Sequence, residues 1–342
     1  MSKKYDHHAI KVLKNFEPVQ KNPGMFIGST EMATHLITEI FDNCQDEALA
    51  GYANLIGVVI NTKTKEYLVM DNGRGIPIEN DTIKTVASSL FSGGKFEKSE
   101  DDAYGIASGL HGVGIVAVTA LSEWMEIEVY RDKKHALYRW EKSILVKDLV
   151  EEFKGEIPFS TCTRFKPASQ YFGSTLIDID YIRKRMKLAS VHIPKLKLAL
   201  NIDAHKELIT CDINQYYKED ILKEDVKNTT PIKDIIVQIG EEELVIRWCY
   251  ALDGSPTPRQ HGSINILSVD QGTHITETSD LFRTVLCDLA KKKKMDINKQ
   301  DCLVGFRALT CMLLYKPNFT SQNKEKFDKR KDELSYLYNK AK

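Results

Sequence analysis

The chain has 342 residues, of which 42% are apolar and 28% are charged, and its formal net charge is zero. This length allows two domains of ordinary size, each with a full hydrophobic core. The zero net charge excludes a global field that attracts nucleic acid, so any affinity for DNA must come from local basic patches.

The cysteines and the apolar runs indicate the compartment. Seven cysteines are scattered along the chain without a CxxC pair, which favours reduced thiols over a structural zinc site. Residues 1–6 lack the apolar core of a signal peptide, and no apolar run approaches the ~20 residues that span a bilayer. We therefore expect a cytoplasmic protein with no membrane segment.

The first half of the chain mixes helical and strand-like segments. Residues 31–50 predict an amphipathic helix with an apolar stripe formed by Leu36, Ile37, Ile40, Phe41, Cys44 and Ala48. Further predicted elements are strands over 55–61 and 66–71, helices over 83–90 and 111–122, strands within 126–166 and a helix near 181–190. This order indicates an α+β fold and not a regular βαβ alternation.

The polar stretch 216–230, which ends before Pro231, is the predicted boundary between two domains, 1–225 and 226–342. Beyond it the predicted elements are strands over 232–239, 244–252 and 263–269, a helix over 277–292 and an apolar run over 302–315. Strand, helix and strand in succession predict a crossover, which is right-handed if the two strands are parallel. The lysine-rich tail, 324–342, permits a helix.

The polar side of the first long helix is the first candidate site. His35, Glu39 and Asn43 are spaced i, i+4 and i+8 and therefore project from one stripe. A carboxylate there can orient or deprotonate an attacking water, and an amide oxygen one turn away can ligate Mg²⁺. A solvated helix face is the commoner reason for such a pair, so this pattern alone is weak.

The second candidate is the turn that begins at Asp71. Gly73 and Gly75 permit close approach of the backbone to a flat ligand, and the aspartate can accept a hydrogen bond from the exocyclic amine of adenine. An Asn-Gly pair between strands is also a strong hairpin signal. Taken alone, the sequence favours the ordinary turn.

The third candidate is the glycine-rich stretch from Gly105 to Gly114, whose backbone N–H groups can wrap phosphate oxygens. The usual phosphate-loop signature is missing, because Gly94-Lys95 is followed by Phe96. Residues 112–117 match a dinucleotide-binding GxGxxA pattern. That pattern requires a strand immediately before it, and residues 106–110 make a poor strand.

Together these segments resemble one family of ATPases. The resemblance is carried by Glu39-x-x-Asp42-Asn43-x-x-Asp46-Glu47-Ala48-Leu49-Ala50-Gly51, by Asp71-Asn72-Gly73-Arg74-Gly75-Ile76-Pro77 and by Gly109-Leu110-His111-Gly112-Val113-Gly114. It extends to residues 23–28, 93–96, 272–274 and 322–324 and covers essentially the whole chain. The chain closely resembles the ATPase region of the B subunits of bacterial type IIA topoisomerases, DNA gyrase and topoisomerase IV, which are GHKL (Bergerat-fold) ATPases.

The resemblance implies a fold and a set of residue roles. The fold is a GHKL (Bergerat) ATPase α/β sandwich followed by a ribosomal-protein-S5-like transducer domain. The implied catalytic residues are Glu39 as general base, His35 as its supporting partner and Lys324 as the sensor of the γ-phosphate. The implied nucleotide-binding residues are Asn43, which also ligates Mg²⁺, Asp46, Asp71, Arg74, Gly75, Pro77, Lys95, Tyr104, Gly109, Leu110, His111, Gly112, Val113, Gly114, Thr161, Gln322 and Tyr5. Tyr5 and Ile10 lie in an amino-terminal arm that is expected to contact the second copy of the chain.

Four positions depart from the family pattern. Ser108 stands where the family usually has glycine, Asn72 replaces an aspartate, Asn323 replaces a threonine and Ser160 replaces a glycine. None of these changes removes an implied catalytic group.

The resemblance also implies partners and a cycle. ATP and Mg²⁺ are expected to order a lid over 95–114 and to drive homodimerisation, so that hydrolysis is coupled to passage of DNA. Basic residues of the second domain, Lys291–Lys294, Lys299 and Arg307, are candidates for phosphate contacts with DNA, although a lysine-rich helix end is more often a solvated terminus. The other expected partners are the topoisomerase A subunit that bears the cleavage tyrosine and ATP-competitive gyrase-type inhibitors.

Two further alternatives belong to other functional classes. An ATP-driven clamp of the chaperone or mismatch-repair type shares the nucleotide fold, but residues 272–274 and 322–324 favour the topoisomerase. A histidine kinase is disfavoured because no dimerising phosphoacceptor helix pair is found. The chain also has no acidic metal-binding cleavage segment, so we expect it to be a fragment of a longer subunit that cannot cleave DNA alone.

Overall fold

The computed structural model describes residues 13–94, 105–109, 112–321, 324 and 326–342. In this part of the chain the strands form an eight-stranded sheet within residues 55–209, a five-stranded sheet within residues 233–313 and a two-stranded ribbon. The mixture of helices with largely antiparallel sheets confirms the predicted α+β class.

The larger sheet, called the first sheet below, is built from three groups of consecutive strands that are separated by helices along the chain. Its strands are β1 Leu55–Asn61, β2 Glu66–Asp71, β3 Ser122–Arg131, β4 Lys134–Glu141, β5 Ile144–Glu152, β6 Thr161–Pro167, β7 Lys197–Ile202 and β8 His205–Ile209. Their order across the sheet is β5-β4-β3-β6-β2-β1-β7-β8, and β1 and β7 form its parallel pair. The bounds of β1 and β2 are those that the sequence predicts.

The helices pack against the sheets. They are α1 Glu17–Lys21, α2 Pro23–Ile27, α3 Thr34–Leu49, α4 Thr82–Ser88, α5 Gly114–Ala120, α6 Ile179–His192, α7 Ile213–Tyr216, α8 Thr273–Lys292 and α9 Lys331–Ala341. A π-helical turn, Tyr217–Leu222, continues α7, and 3-10 turns occupy Ser169–Tyr171 and Asp301–Leu303. The predicted helices over 31–50, 83–90, 111–122 and 181–190 are therefore confirmed, with ends that differ by a few residues.

Helix α3 organises the first domain. All six residues of its predicted apolar stripe are at most 3% exposed. Its polar side is only partly solvated, because Asp42, Asp46 and Glu47 are buried. The predicted stripe of His35, Glu39 and Asn43 is half-buried, and its role stays a prediction. Each buried acid must have a structural partner.

The smaller sheet, called the second sheet, has the order β12-β11-β14-β10-β9. Its strands are β9 Lys233–Ile239, β10 Glu242–Tyr250, β11 Arg259–Ile264, β12 Leu267–Ser268 and β14 Phe306–Leu313, and the ribbon pairs β13 Gln271–Gly272 with β15 Lys326–Phe327. Strands β11 and β14 are parallel and are connected through α8, which confirms the predicted crossover.

The predicted strand over 263–269 is wrong in one respect. A two-residue turn, Asn265-Ile266, divides it into β11 and β12. Both turn residues have positive φ, 48° and 67°, as type I′ hairpin turns require. The sequence did not indicate this turn, because it lies in an apolar run and Ile266 occupies a positive-φ position that β-branched residues rarely adopt.

The two sheets share a buried seam. Ile266, Leu309 and Cys311 belong to the same apolar cluster as the core of the first sheet. The Tyr217 hydroxyl donates to the carbonyl oxygen of Arg307 at 2.8 Å. The predicted boundary after residue 225 falls between the last strand of the first sheet and the first strand of the second, and as a division into domains it stays a prediction.

Among the described helices, none is long and apolar enough to cross a membrane.

Candidate functional site

A cavity of about 430 Å³ opens between α3, the end of β2 and the glycine-rich segments. Glu39 and Asn43 of α3 form one wall, and Asp71 lies at the end of β2. Lys324, which precedes β15, reaches the same cavity. The structure thus brings together the three separate segments that the sequence singled out.

The buried acids of α3 hold the walls of the cavity in place. Asp42 pairs with Arg185 of α6, with a distance of 2.5 Å between Oδ1 and Nη2. Glu47 accepts from the Arg74 guanidinium and from its backbone N–H, at 2.8–3.1 Å. Both pairs are charge-assisted, so one helix fixes α6 and the loop after β2 at once.

Asp71 is set in the sheet opposite Thr161. The register of β2 and β6 pairs these two residues directly, and both line the cavity. Asp71 is 5% exposed, and burial raises the pKa of its carboxyl to about 6. The Cys44 thiol of α3 donates to this carboxylate, and burial raises the pKa of the thiol as well. Asp71 is therefore a buried hydrogen-bond acceptor held from both sides.

The segment after Asp71 is a loop and not a hairpin. Strand β2 pairs with β1 and with β6, which lies about ninety residues further along the chain. A Cβ atom at Gly73 would lie 2.8 Å from Glu47 Oε2 and 2.9 Å from Asp71 Oδ1, so only glycine fits there. The guanidinium of Arg74 stacks on the ring of Tyr52 at 3.8 Å. The hairpin alternative is thus wrong, and residues 74–77 line the cavity.

The glycine-rich stretch contributes two described pieces. In residues 105–109, Ser108 donates to Asp46 through its backbone N–H at 2.6 Å and through Oγ at 2.7 Å, and Gly109 N–H donates to Asp46 at 3.1 Å. This piece is not a strand, which rules out the dinucleotide pattern.

Residues 112–114 line the cavity where α5 begins. A Cβ atom at Gly114 would collide with Glu39 Oε2, so any larger residue here would displace the Glu39 carboxylate.

Lys324 connects the second domain to the cavity. Its ammonium donates to the carbonyl oxygen of Ser108 at 3.0 Å, and the residue is 8% exposed. Its backbone lies in the left-handed region, with φ of 56°, which a non-glycine residue adopts only when its surroundings impose it. A cation from the segment that follows the second sheet is thus held at the cavity wall by Ser108.

The candidate residues fall into three groups: those that line the cavity, those that lie beside it and those outside the described part of the chain. The cavity is lined by Glu39, Asn43, Asp71, Arg74, Gly75, Pro77, Gly109, Gly112, Val113, Gly114, Thr161 and Lys324. His35 instead lines a smaller polar cavity of about 40 Å³ behind Glu39, and Asp46 contacts residues 108–109. The remaining candidates, Lys95, Tyr104, Leu110, His111, Gln322 and Tyr5, lie outside the described residues, as do Ile10 and Asn323.

Several lining residues were missed by sequence reasoning. Cys44 and Glu47 lie on the same helix as Glu39, so helical spacing from Asn43 could have indicated Glu47. Arg131, at the end of β3, lines the cavity and donates to the carbonyl oxygen of Gly75 at 2.8 Å. No local signal marks Arg131, because its position depends on the pairing of distant strands.

The candidate DNA contacts divide into two groups. Lys291–Lys294 and Lys299 are exposed. Arg307 is fully buried and donates to the backbone oxygens of Ser255 and Thr257 at 2.7 and 2.8 Å. Arg307 is therefore wrong as a surface contact to DNA, since its guanidinium fixes the loop before β11.

The chemistry of the site follows from its two ends. The Asp71 end offers a buried acceptor and apolar walls, as a flat heterocycle with an amine requires. The other end combines a carboxylate, an amide and an ammonium group near glycine backbone. No group of three His, Cys, Asp or Glu side chains that could hold a metal occurs in the described part of the chain.

Comparisons with known proteins identify the nucleotide-binding part. Residues 28–162 match the family model described as histidine kinase-, DNA gyrase B- and HSP90-like ATPase. The B subunit of DNA gyrase from Thermotoga maritima is 34% identical over 351 residues, which cover 94% of this chain and 54% of that protein. The B subunit of DNA topoisomerase 4 from Bartonella bacilliformis is 32% identical, with 94% and 50% covered. The chain thus spans about half the length of these relatives.

A solved structure extends the similarity to the second domain. The 43K ATPase domain of Thermus thermophilus gyrase B, in complex with an aminocoumarin, superposes with a TM-score of 0.70 at 26% sequence identity. The match covers 95% of this chain and 87% of that domain. Both sheets of the present chain therefore have counterparts in the related fold.

Proposed function

We propose that the chain is the ATP-hydrolysing gate of a type IIA DNA topoisomerase, on the premise that residues 28–162, which match the histidine kinase-, DNA gyrase B- and HSP90-like ATPase family model, form its nucleotide-binding part. Homodimerisation driven by Mg-ATP is coupled in this proposal to passage of DNA. The observation that carries it is a single cavity formed by Glu39, Asp71 and, from the second domain, Lys324.

Base recognition occurs at the Asp71 end. The Asp71 carboxylate accepts a hydrogen bond from the exocyclic amine of adenine, while Thr161, its neighbour in the sheet, lies beside it. Pro77 and Arg74 border the base, and the pairing of Arg74 with Glu47 keeps that border rigid. The buried acceptor disfavours bases that lack an amine at this position, because Asp71 would then remain unpaired.

Hydrolysis occurs at the Glu39 end. Glu39 orients the attacking water and takes its proton, and His35, one turn earlier on α3, supports it from the smaller cavity. Residues 109 and 112–114 supply backbone N–H groups to the phosphates, and Lys324 binds the γ-phosphate. Positioning and charge neutralisation supply most of the rate enhancement of phosphoryl transfer.

The donor set fits a magnesium ion that is held mainly by nucleotide and water. Asn43 lines the cavity, and its Nδ2 donates to the Glu39 carbonyl oxygen at 3.1 Å, which presents Oδ1 as the atom for a cation. Mg²⁺ takes few protein ligands when substrate phosphates are present, so one amide is sufficient here. When bound, the ion neutralises charge on the phosphates.

The partners follow from the same proposal. They are a second copy of the chain, DNA and a topoisomerase A subunit that bears the cleavage tyrosine. The exposed lysines 291–294 and 299 contribute nonspecific contacts to DNA phosphates. Aminocoumarin-type compounds compete with ATP for the Asp71 end.

The test begins with ATP turnover by the purified chain at several protein concentrations. We expect turnover per chain to rise with concentration, and a non-hydrolysable ATP analogue with Mg²⁺ to produce dimers in sedimentation experiments. Absence of both would contradict the ATP gate. A B subunit that carries this chain as its ATPase region, combined with an A subunit, should then supercoil or decatenate DNA. ATP turnover without any topological activity would support a clamp of the chaperone or mismatch-repair type instead.

A further inference from the structure

A buried asparagine joins the second domain to the wall of the nucleotide cavity. We propose that Asn265 is a positioning residue that makes docking of the second sheet and the conformation of residues 105–109 a single event. This inference rests on the proposed ATPase function and adds to it a residue that does not face the cavity.

Hydrogen bonds from the Asn265 side chain join the second sheet to residues 105–109. Its side chain is fully buried. Nδ2 donates to the carbonyl oxygen of Ala107 at 2.7 Å and to that of Leu314 at 2.8 Å, and Oδ1 accepts from Leu314 N–H at 2.8 Å. Both amide hydrogens and the amide oxygen are in use, so the loss of Ala107 would leave a buried donor unpaired.

The turn that carries Asn265 is held by the first domain. Asparagine tolerates the positive φ of this turn, but a β-branched residue such as Ile266 does so only at a cost. Ile266 is fully buried in the apolar cluster of the first domain. At the end of β11, Ser263 Oγ lies 3.0 Å from Nε2 of His192, at the end of α6. Because this strained turn belongs to the second sheet and is buried among residues of the first domain, it can leave its site only when the second sheet undocks.

The other side of residues 105–109 is bound as well. The carbonyl oxygens of Ala107 and Ser108 are consecutive, and they accept from Asn265 and Lys324 respectively. The Ser108 N–H and hydroxyl donate to Asp46 of α3. A rotation of the second domain must therefore either break two hydrogen bonds together or carry this loop along.

The hydrogen bonds of Asn265 to Ala107 and of Lys324 to Ser108 hold neighbouring residues of one loop, so Asn265 can affect turnover indirectly. Lys324 reaches the cavity, whereas Asn265 is not among the residues that line it. Its effect on turnover must act through residues 105–109, which position Gly109 at the cavity wall. Asn265, which binds residues 105–109, therefore acts beside Lys324, which binds the same loop and reaches the nucleotide cavity.

The first test compares two variants. Asn265→Gly keeps the positive φ without strain and removes the amide. Thr278→Val is the matched control, because its buried hydroxyl lies 3.0 Å from Thr310 and 3.1 Å from Tyr338, within the second domain alone. Asn265→Gly removes three side-chain hydrogen bonds, of which one, to Ala107, reaches residues 105–109. We expect it to lower kcat about tenfold, as the loss of this one bond predicts, while binding of a non-hydrolysable ATP analogue changes little. An equal loss in Thr278→Val would overturn the proposal.

A double-mutant cycle gives the second test. If the two bonds act as one unit, Lys324→Ala should lower turnover much less in the Asn265→Gly background than in the wild-type chain. If the two substitutions lower turnover additively, Asn265 only stabilises the turn that contains it, and the proposal is contradicted.

The third test needs no variant, so it decides the matter even if the variants fail to fold. Hydrogen exchange of the wild-type chain is followed with and without the non-hydrolysable analogue and Mg²⁺. Residues 105–109 and 263–268 should gain protection together at the same analogue concentration, and protection of one segment alone contradicts the proposal. Failure of the ATPase function is recognised separately, as no analogue binding at all.

Discussion

The two ends of the cavity are built in different ways. At the Asp71 end, the β2–β6 register, Cys44 and the Glu47–Arg74 pair come from one sheet and one helix that share a core. At the Lys324 end, the walls come from α3, from the glycine-rich segments and from the segment that follows the second sheet. Three hydrogen bonds join Asp46 of α3 to residues 108–109, and one joins Lys324 to Ser108. In the proposed function, affinity for the base is thus built into the first sheet and α3, whereas hydrolysis depends on the position of Lys324. The two properties should be separable by mutation.

The largest separation is expected for Glu39→Gln. Removal of the general base should lower turnover by about 10²–10⁴-fold and leave equilibrium binding of ATP close to that of the wild-type chain. Steady-state kinetics and calorimetric titration measure the two quantities, and Glu219→Gln, at an exposed position on the π-helical turn, is the control. Parallel losses of binding and turnover would refute the proposed division of the cavity.

Lys324→Ala should act at the same end with a smaller effect. Loss of a preorganised cation at the developing charge is expected to lower turnover about 100-fold, with little change in the affinity for adenosine nucleotides. Lys326→Ala, two residues further along the chain and exposed, is the matched control. A wild-type rate in Lys324→Ala would remove the sensor role.

Asp71→Asn tests the other end. Replacement of a charged acceptor by an amide should weaken ATP binding roughly 10- to 100-fold, while turnover at saturating ATP stays near the wild-type value. Nucleotide titrations followed by kinetics at high ATP provide the comparison, with Asp203→Asn, far from the cavity, as control. A large fall of the saturated rate would mean that the two ends are not independent.

The pH dependence of binding should give the smallest effect. Burial raises the pKa of Asp71 to about 6, so the carboxylate takes up a proton as the pH falls through this value. If only the ionised form accepts the adenine amine, ATP affinity should fall about fourfold between pH 7 and pH 5.5. The nucleotide phosphates titrate in the same range, so the comparison with Asp71→Asn isolates the contribution of this carboxyl. An identical pH profile in both proteins would contradict the assignment.

The sequence predicted those features that depend on neighbours in the chain. Strand-like apolar runs were sufficient for β1 and β2, and helical spacing was sufficient for α3. The motifs placed Glu39, Asn43 and Asp71 on elements that the structure brings together. In these cases, local spacing determines which side chains share a face.

The remaining features depend on contacts between distant segments. Arg131 reaches the cavity only because β3 pairs with β6, and Arg307 is buried only because it fixes the loop before β11. The turn at Asn265 is hidden in an apolar run, since its unusual Ile266 is compensated by burial in the other domain. Such compensation becomes visible only when both partners are known.

The position of Lys324 has a consequence for selective inhibition. A compound that fills only the Asp71 end contacts groups of one domain, and it should bind the chain equally well in any arrangement of the two domains. A compound long enough to reach the Lys324 ammonium binds one arrangement preferentially, and by linkage it must shift the population towards that arrangement. Extension of a ligand along this cavity would therefore change a simple competitor of ATP into a compound that traps one conformational state.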